Sequence, residues 1–327
     1  MTHETPEPTA QWDKVFPQSD AVDHEKVAFR TRFGITLVAD LYKPKDARGQ
    51  SPALAVAGPF GAVKEQSSGL YAQTMAERGY LAIAFDPSFT GESGGEPRCM
   101  NSPDINIEDF QAAVDFLSVR DDVDPGRIGI IGICGWGGMA LAAAAADPRI
   151  RATVASTMYD MSRVAAKGYF DSADSAEERN RTRASVAAQR TADYRSGVYA
   201  MAGGVVDPLP EDAPAFVKDY YDYYKTPRGY HPRSLNSNAG WTVIGGSSLI
   251  NATLLGCIEE IGSAVMIVHG EAAHSYYMGR DAFARLTGDN KELVTIPGAV
   301  HTDLYDGGGK NAIPWDRLTG FFDAHLA

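Results

Sequence analysis

Cysteine, positive charge and long apolar runs are all scarce in this sequence, and each scarcity excludes a class of protein. The three cysteines, Cys99, Cys134 and Cys257, lack the paired spacing of a disulfide framework, so we expect reduced thiols in a cytoplasmic protein. Lysine and arginine number 30 against 42 aspartates and glutamates. The net charge of −12 argues against nucleic acid or an anionic membrane surface as a partner, because both are bound through basic residues.

Apolar residues make up 44% of the 327 residues, yet no run of about 20 of them occurs, so the sequence predicts no segment that spans a bilayer. The polar, acidic start, MTHETPEPTAQW, predicts that no signal peptide is present. A chain of this length buries roughly three quarters of its unfolded surface when it folds as one unit. The sequence therefore predicts a globular protein with a large core.

Strand and helix patterns alternate along most of the chain. A hairpin is predicted over 27–41, and short apolar runs predict buried strands at 52–57, 81–85, 127–133, 152–155, 264–268 and 292–296. Helical patterns lie between them, at 67–78, 104–119, 137–146 and from 315 to the end. This alternation predicts an α/β fold with a mostly parallel sheet flanked by helices.

Two parts of the chain break the alternation. Residues 1–23 are rich in proline and polar side chains and are predicted to form an N-terminal arm. Residues 160–255 contain helical pieces and a tyrosine-rich run, and we interpret them as a helical lid inserted over one edge of the sheet. The α/β core would then consist of residues 24–159 and 256–327.

A glycine-dense turn joins a predicted buried strand to an alanine-rich helix at residues 132–138, Gly-Ile-Cys-Gly-Trp-Gly-Gly. A strained strand–turn–helix of this kind presents a nucleophile above the carboxyl edge of the sheet, here Cys134. The positive end of the following helix is expected to lower the pKa of its thiol. Trp136 departs from the pattern, because a small residue is usual there. The alternative is that Cys134 is a buried structural thiol.

A cysteine nucleophile needs a base, and His301 follows the last predicted strand, where the base of this arrangement is found. An acid usually follows the penultimate strand, but Ala273 occupies the expected position. Two carboxylates remain as candidates to orient the imidazole. Asp160, after the preceding strand, is preferred over Glu271.

Backbone N–H groups should stabilise the oxyanion that forms during attack on a carbonyl. We expect one from Gly135 and the second from Phe60 or Gly61, because Pro59 has no N–H to donate. The Gly/Ser-rich loop 86–95 is interpreted as a wall of the active site. Substrate-pocket candidates are Trp136, Met158, Tyr223 and Tyr224. The histidines and carboxylates show no metal-ligand spacing, so no metal or other cofactor is predicted.

Five motifs in this order resemble those of the polyketide transferase-like α/β-hydrolases, a cysteine-nucleophile group distantly similar to dienelactone hydrolases. They lie at residues 63–66, 86–93, 132–138, 223–229 and 301–305. The resemblance implies an α/β-hydrolase fold, a constellation of Cys134, His301 and an acid, and acyl chemistry on a small-molecule substrate.

The sequence thus predicts a hydrolase of ester, thioester or lactone bonds that forms an acyl-enzyme on Cys134 with His301 as base. Two alternatives stay open: an acyltransferase that passes the acyl group to an alcohol, and a non-catalytic small-molecule binder on the same scaffold. The sequence leaves open whether the chain forms a homodimer.

Overall fold

The computed structural model describes residues 8–9 and 11–327, which contain an eight-stranded sheet with the strand order β1-β2-β4-β3-β5-β6-β7-β8. Only β2 runs antiparallel to its neighbours β1 and β4, and β4, β3 and β5 to β8 are parallel. The strands are β1 (Val22–Arg30), β2 (Thr36–Pro44), β3 (Ser51–Ala57), β4 (Leu81–Phe85), β5 (Val123–Ile133), β6 (Ile150–Ser156), β7 (Ala264–Gly270) and β8 (Lys291–Ile296). The predicted α/β-hydrolase fold, with a mostly parallel sheet, is confirmed.

Helices cover both faces of this sheet and hold two separate hydrophobic clusters against it. They are α1 (Ser67–Ala76), α2 (Pro103–Ser118), α3 (Gly135–Ala146), α4 (Met161–Lys167), α5 (Ala176–Ser196), α6 (Ala215–Tyr224), α7 (Tyr276–Arg285), α8 (Asp303–Asp306) and α9 (Trp315–His325). The alanines of α3 and the apolar stripe of α2 pack on one face. Residues of α1 and α9 pack on the other. Strands β3 to β7 are therefore buried on both faces, which is why they are nearly continuous apolar runs.

The predicted arm and lid segments differ in how they pack. Within the arm, the part from residue 11 onwards lies against the core: Val15 donates its N–H to the Glu65 carbonyl at 3.0 Å, and Lys14 Nζ is 3.0 Å from Asp40 Oδ2. Residues 1–7 lie outside the described part. The lid segment contains α4, α5 and α6 up to residue 224 and is mainly irregular from 225 to 255. The exact boundaries of core and lid stay a prediction.

A buried set of charges, here called the Lys64 network, joins the arm, the core and the lid. Lys64 Nζ is fully buried and lies 2.7 Å from each of Glu65 Oε1, Asp86 Oδ2 and Glu92 Oε2. Arg233 of the lid reaches Glu65 at 2.7 Å. The ammonium of Lys64 thus occupies the point where the three carboxylates converge, a position that a metal ion would need.

The Lys64 network corrects one prediction. The loop 86–95 is not a wall of the active site, because Asp86, Ser88, Glu92 and Ser93 are buried in hydrogen bonds with the core. None of its residues lines the pocket above Cys134. Two of the motifs that carry the family resemblance therefore have a structural role. In the part of the chain that is described, no helix is long and apolar enough to cross a membrane.

Candidate active site

Cys134 stands at a sharp bend between β5 and α3. Its backbone has φ 59° and ψ −127°, in the left-handed half of conformational space, and Gly135 begins the helix. A Cβ on Gly132 would collide with the Trp136 carbonyl, and one on Gly138 would collide with the Tyr159 carbonyl. The glycines are therefore required for the bend, as the sequence predicted.

The tryptophan that departs from the elbow pattern points away from the site. Trp136 is 1% exposed and packs edge-on against Phe85 and Phe110, with ring centroids 5.9 and 5.5 Å apart. Met158 is fully buried in the same cluster. The prediction that these two residues line the substrate pocket is wrong, because the first turn of α3 directs position 136 into the core beneath the elbow.

Two backbone N–H groups lie against the Cys134 sulfur, those of Gly135 and Phe60. The Phe60 ring stacks on Trp241 of the lid at 4.5 Å. Gly61 does not supply the second donor; its carbonyl accepts from the N–H of Asn236 at 3.0 Å and from Ser234 Oγ at 3.1 Å. These contacts fix the loop that carries the Phe60 N–H.

The thiol does not have the lowered pKa that the helix N-terminus predicted. Cys134 is 6% exposed, and burial raises the pKa of its thiol above the ordinary value. The Tyr305 hydroxyl and the two N–H groups act in the opposite direction without overcoming burial. At neutral pH the thiol is therefore protonated.

His301 is completely buried, and hydroxyl groups hold its imidazole. Nδ1 lies 2.6 Å from Ser275 Oγ and 2.9 Å from Thr157 Oγ1, and Nε2 lies 3.0 Å from Tyr305 Oη. Burial, together with the neighbouring His274 and His269, holds the pKa of His301 well below its ordinary value. The imidazole is neutral at neutral pH.

Neither predicted acid contacts the imidazole. Asp160 caps α4 and accepts from the Arg163 N–H at 3.0 Å and from Ser162 Oγ at 2.5 Å. Glu271 is exposed and accepts from the Gly298 N–H at 3.1 Å. The prediction that one of them orients His301 is wrong for this geometry, because the short helix α4 and the loop after β8 use these carboxylates for their own backbones.

Two hydroxyls take the place of the carboxylate at Nδ1: Ser275 Oγ at 2.6 Å and Thr157 Oγ1 at 2.9 Å. Thr157 Oγ1 also lies 3.3 Å from the His301 carbonyl oxygen, to which it donates. In the tautomer with the proton on Nδ1, both hydroxyls accept from Nδ1–H and Nε2 is unprotonated. The backbone of Thr157 is strained in this position, because its φ is 44°, which is rare for a β-branched residue.

The sequence reasoning missed three residues of the site: Thr157, Ser275 and Tyr305. Ser275 is in the loop where the acid was expected, two positions after Ala273. Tyr305 follows His301 at the i+4 spacing that places two side chains on one helix face, which was the available signal. Its hydroxyl contacts both the imidazole and the Cys134 thiol.

A cavity of about 470 Å³ opens above Cys134, between the core and the lid. It is lined by Phe60, Cys134, Tyr159, Met161, Val164, Tyr169, Gly203, Gly204, Val205, Val206, Phe216, Val217, Tyr220, Tyr224, Asn236, Trp241 and Tyr305. Tyr224 lines it as predicted, whereas Tyr223 packs its ring against Tyr305, 5.0 Å away, outside the cavity. Over the described chain, the lining contains no Asp, Glu, Lys, Arg or His.

Comparison with known proteins assigns the chain to a family. The family model described as X-Pro dipeptidyl-peptidase (S15 family) matches residues 34–248. The chain belongs to this family. It is an α/β-hydrolase family, and this S15-family chain is an α/β-hydrolase enzyme.

Several relatives resemble the S15-family chain over different lengths. "Uncharacterized protein PA2218" of Pseudomonas aeruginosa is 54% identical over 320 residues, 97% of this chain and 85% of the relative. The crystal structure of that protein matches with a TM-score of 0.94 over 98% of both chains. "Acyltransferase drtE" of Aspergillus calidoustus is 34% identical over 45% of this chain and 47% of its own length. "Thiohydrolase aneE" of Aspergillus aculeatus is 37% identical over 39% of each.

Proposed function

We propose that the protein hydrolyses thioesters and activated esters of neutral, apolar acyl groups through an acyl-enzyme on Cys134. The observation that carries this proposal is the position of the thiol: a strained elbow, beneath two N–H groups, at the floor of an apolar cavity. The sulfur attacks the acyl carbonyl while the Gly135 and Phe60 N–H groups stabilise the oxyanion. His301 takes the thiol proton and returns it to the leaving group, and water then releases the acid.

The cavity supports a neutral acyl group as the substrate class. Its lining offers aromatic and aliphatic surface, tyrosine hydroxyls and one amide, Asn236, and no charged side chain within the described residues. A peptide with a free N-terminus, the substrate of an X-Pro dipeptidyl-peptidase, carries an α-ammonium group that would be desolvated in this cavity without a partner carboxylate. The lining therefore favours an uncharged acyl chain over a peptide N-terminus.

The leaving group is inferred from the strength of the base. In a triad with a carboxylate, that carboxylate stabilises the imidazolium formed during catalysis. Here the Nδ1 partners are the neutral hydroxyls of Ser275 and Thr157, and burial holds the pKa of His301 low. A weak base suits thiol and activated alcohol leaving groups, which depart with little help from a general acid. The relative named a thiohydrolase supports the same class.

Intact-mass spectrometry tests the proposal. The protein is mixed with p-nitrophenyl butyrate, and we expect a transient butyryl adduct with release of p-nitrophenolate. Cys134→Ala should lose both, whereas Cys257→Ser, which changes an exposed cysteine, should keep both. An adduct that persists in Cys134→Ala would refute the nucleophile. No adduct and no turnover in the wild type would instead favour the non-catalytic binder.

Acyl transfer is a second candidate, supported by the low water access of the site. Cys134 is 6% exposed beneath an aromatic lid, and one relative is named an acyltransferase. Adding a primary alcohol such as butanol during turnover distinguishes the two fates. A butyl ester as the main product at millimolar alcohol favours transfer, and butyric acid as the main product favours hydrolysis.

A further inference from the structure

Tyr305 occupies the position between the two groups that the proposed chemistry must connect. Its hydroxyl lies 3.0 Å from His301 Nε2, and Tyr305 lines the same cavity as Cys134. The Tyr305 hydroxyl is also the side-chain group that lowers the pKa of the Cys134 thiol against the effect of burial. In the described part of the chain, no hydrogen bond joins the Cys134 sulfur directly to the imidazole. We propose that Tyr305 is a catalytic residue that relays the proton between Cys134 and His301. This inference rests on the proposed function.

The tautomer of His301 sets the direction of the relay. The relay assigns the proton of the neutral imidazole to Nδ1, where Thr157 Oγ1 accepts from it while donating to the His301 carbonyl, so that Nε2 carries a lone pair. The only hydrogen that Tyr305 can share with Nε2 is its own hydroxyl proton, so Tyr305 donates. Its oxygen is then free to accept from the thiol of Cys134.

The proton balance of the acylation step follows from this arrangement. As the sulfur–carbon bond forms, the thiol proton passes to Tyr305 Oη, and the original hydroxyl proton of Tyr305 passes to His301 Nε2. The carbonyl π pair moves to the oxygen. When the tetrahedral intermediate collapses, the same two protons move in the opposite sense, His301 becomes neutral again and the leaving thiol or alcohol departs protonated.

The relay accounts for a neutral resting site. Tyr305 is fully buried, and burial raises the pKa of its phenol well above the ordinary value, so it does not exist as a stable phenolate. It can only pass a proton while receiving another. A concerted exchange needs no charged group in the resting state, which agrees with the protonated thiol and the neutral imidazole derived above.

Tyr305→Phe tests the relay because it removes the hydroxyl and keeps the ring. We expect kcat/KM for p-nitrophenyl butyrate to fall by roughly 100-fold, the usual contribution of a positioned acid–base group. Tyr223→Phe is the matched control, since it removes a neighbouring buried hydroxyl from a ring that packs on Tyr305. It should keep kcat/KM within about threefold. Retention of activity in Tyr305→Phe, or an increase in it, would overturn the relay.

A measurement on the unaltered protein keeps the relay testable if Tyr305→Phe fails to fold. In mixtures of H₂O and D₂O, two protons moving in the acylation step predict a curved dependence of kcat/KM on the deuterium fraction. A linear dependence means that one proton moves and refutes the relay. Loss of the adduct in Cys134→Ala together with a linear dependence would leave the proposed function standing and remove only the role of Tyr305.

Discussion

Replacing Lys64 by methionine should destabilise the protein far more than removing an ordinary ion pair. The Lys64 ammonium lies 2.7 Å from three buried carboxylates. The change removes the one ion-pair partner that Asp86 has among the described residues, and it leaves Glu65 and Glu92 with Lys26 and Arg233. Removing one partner of a buried ion pair costs about 3–5 kcal/mol, because the remaining charge stays desolvated. Lys43→Met is the matched control, since Lys43 pairs with Asp122 at 2.8 Å while 36% exposed. It should cost at most about 1 kcal/mol.

The folding stability of Lys64→Met should also depend on pH, and the direction of this dependence follows from the pKa shifts. Burial alone would raise the pKa of Glu65 and Glu92, but Lys64 and its cationic neighbours outweigh burial and hold both pKa values below the ordinary range. The wild type therefore has this stabilisation above about pH 4.5 and loses it as the pH falls further. Burial already raises the pKa of Asp86 above its ordinary value, and Lys64 is the cation that opposes this shift. Without Lys64 the Asp86 carboxyl binds a proton on folding, and the variant should gain stability as the pH falls from 7 to 5.

Urea unfolding followed by fluorescence at pH 7 and pH 5 measures both effects. A free energy of unfolding for Lys64→Met within about 1 kcal/mol of that for Lys43→Met would refute the argument that the Lys64 network is desolvated. If Lys64→Met is less stable at pH 5 than at pH 7, the predicted direction of the pH dependence is refuted.

Three further predictions concern the site and one buried acid. Because burial raises the pKa of Cys134, its alkylation by iodoacetamide should accelerate up to and beyond about pH 9, and a plateau below pH 8 would contradict this. Asn236→Ala removes the 2.8 Å bond from the side-chain amide to the Phe60 carbonyl, so kcat/KM should fall about 3- to 10-fold, while the surface change Asn251→Ala has no effect. Burial raises the pKa of Asp109 from 3.8 to about 7, so this group makes folding stability fall as pH rises from 3.8 to about 7 and then level off, and Asp109→Asn should remove this slope in melting temperatures measured across that range.

The sheet and the elbow could be predicted from the sequence because each depends on local patterns. Strands buried on both faces require continuous apolar runs, and all of the predicted runs form strands. The elbow requires small residues around Cys134, and Gly132 and Gly138 satisfy that requirement against specific carbonyl groups. Such constraints act within a few residues of the chain, so they can be found without the fold.

The partners of His301 could not be predicted because they depend on distant contacts. A carboxylate is the usual partner, and the sequence offers two near the expected positions, Asp160 and Glu271. Whether a carboxylate reaches the imidazole or caps a nearby helix depends on the path of α4, which no local pattern determines. A serine in the loop after β7 is common in any protein, so Ser275 carries no distinctive signal.

The loop 86–95 was misinterpreted for a related reason. Glycine and serine after a buried strand are typical of ligand-binding loops, and the acidic residues within it suggest exposure. Its carboxylates are buried with cations that are far away in the sequence: Lys64 pairs with Asp86, and Arg233 lies 3.8 Å from Glu92. Such pairing of buried carboxylates with cations depends on contacts between residues that are distant in the sequence, so no local pattern predicts it.

The irregular segment after α6 contacts both the loop that carries His301 and the loop that carries the Phe60 N–H. Arg228 pairs with Asp306 at 2.8 Å and donates to the Thr302 carbonyl at 3.1 Å, beside His301, and Asn236 holds the loop of Phe60. A movement of this segment would displace the imidazole of His301 and the N–H group of Phe60 together. Phe216 and Val217 of α6 line the same cavity but take no part in these contacts, so we expect changes of side chain there to alter which acyl groups are admitted while the contacts to Thr302, Asp306 and Phe60 stay intact.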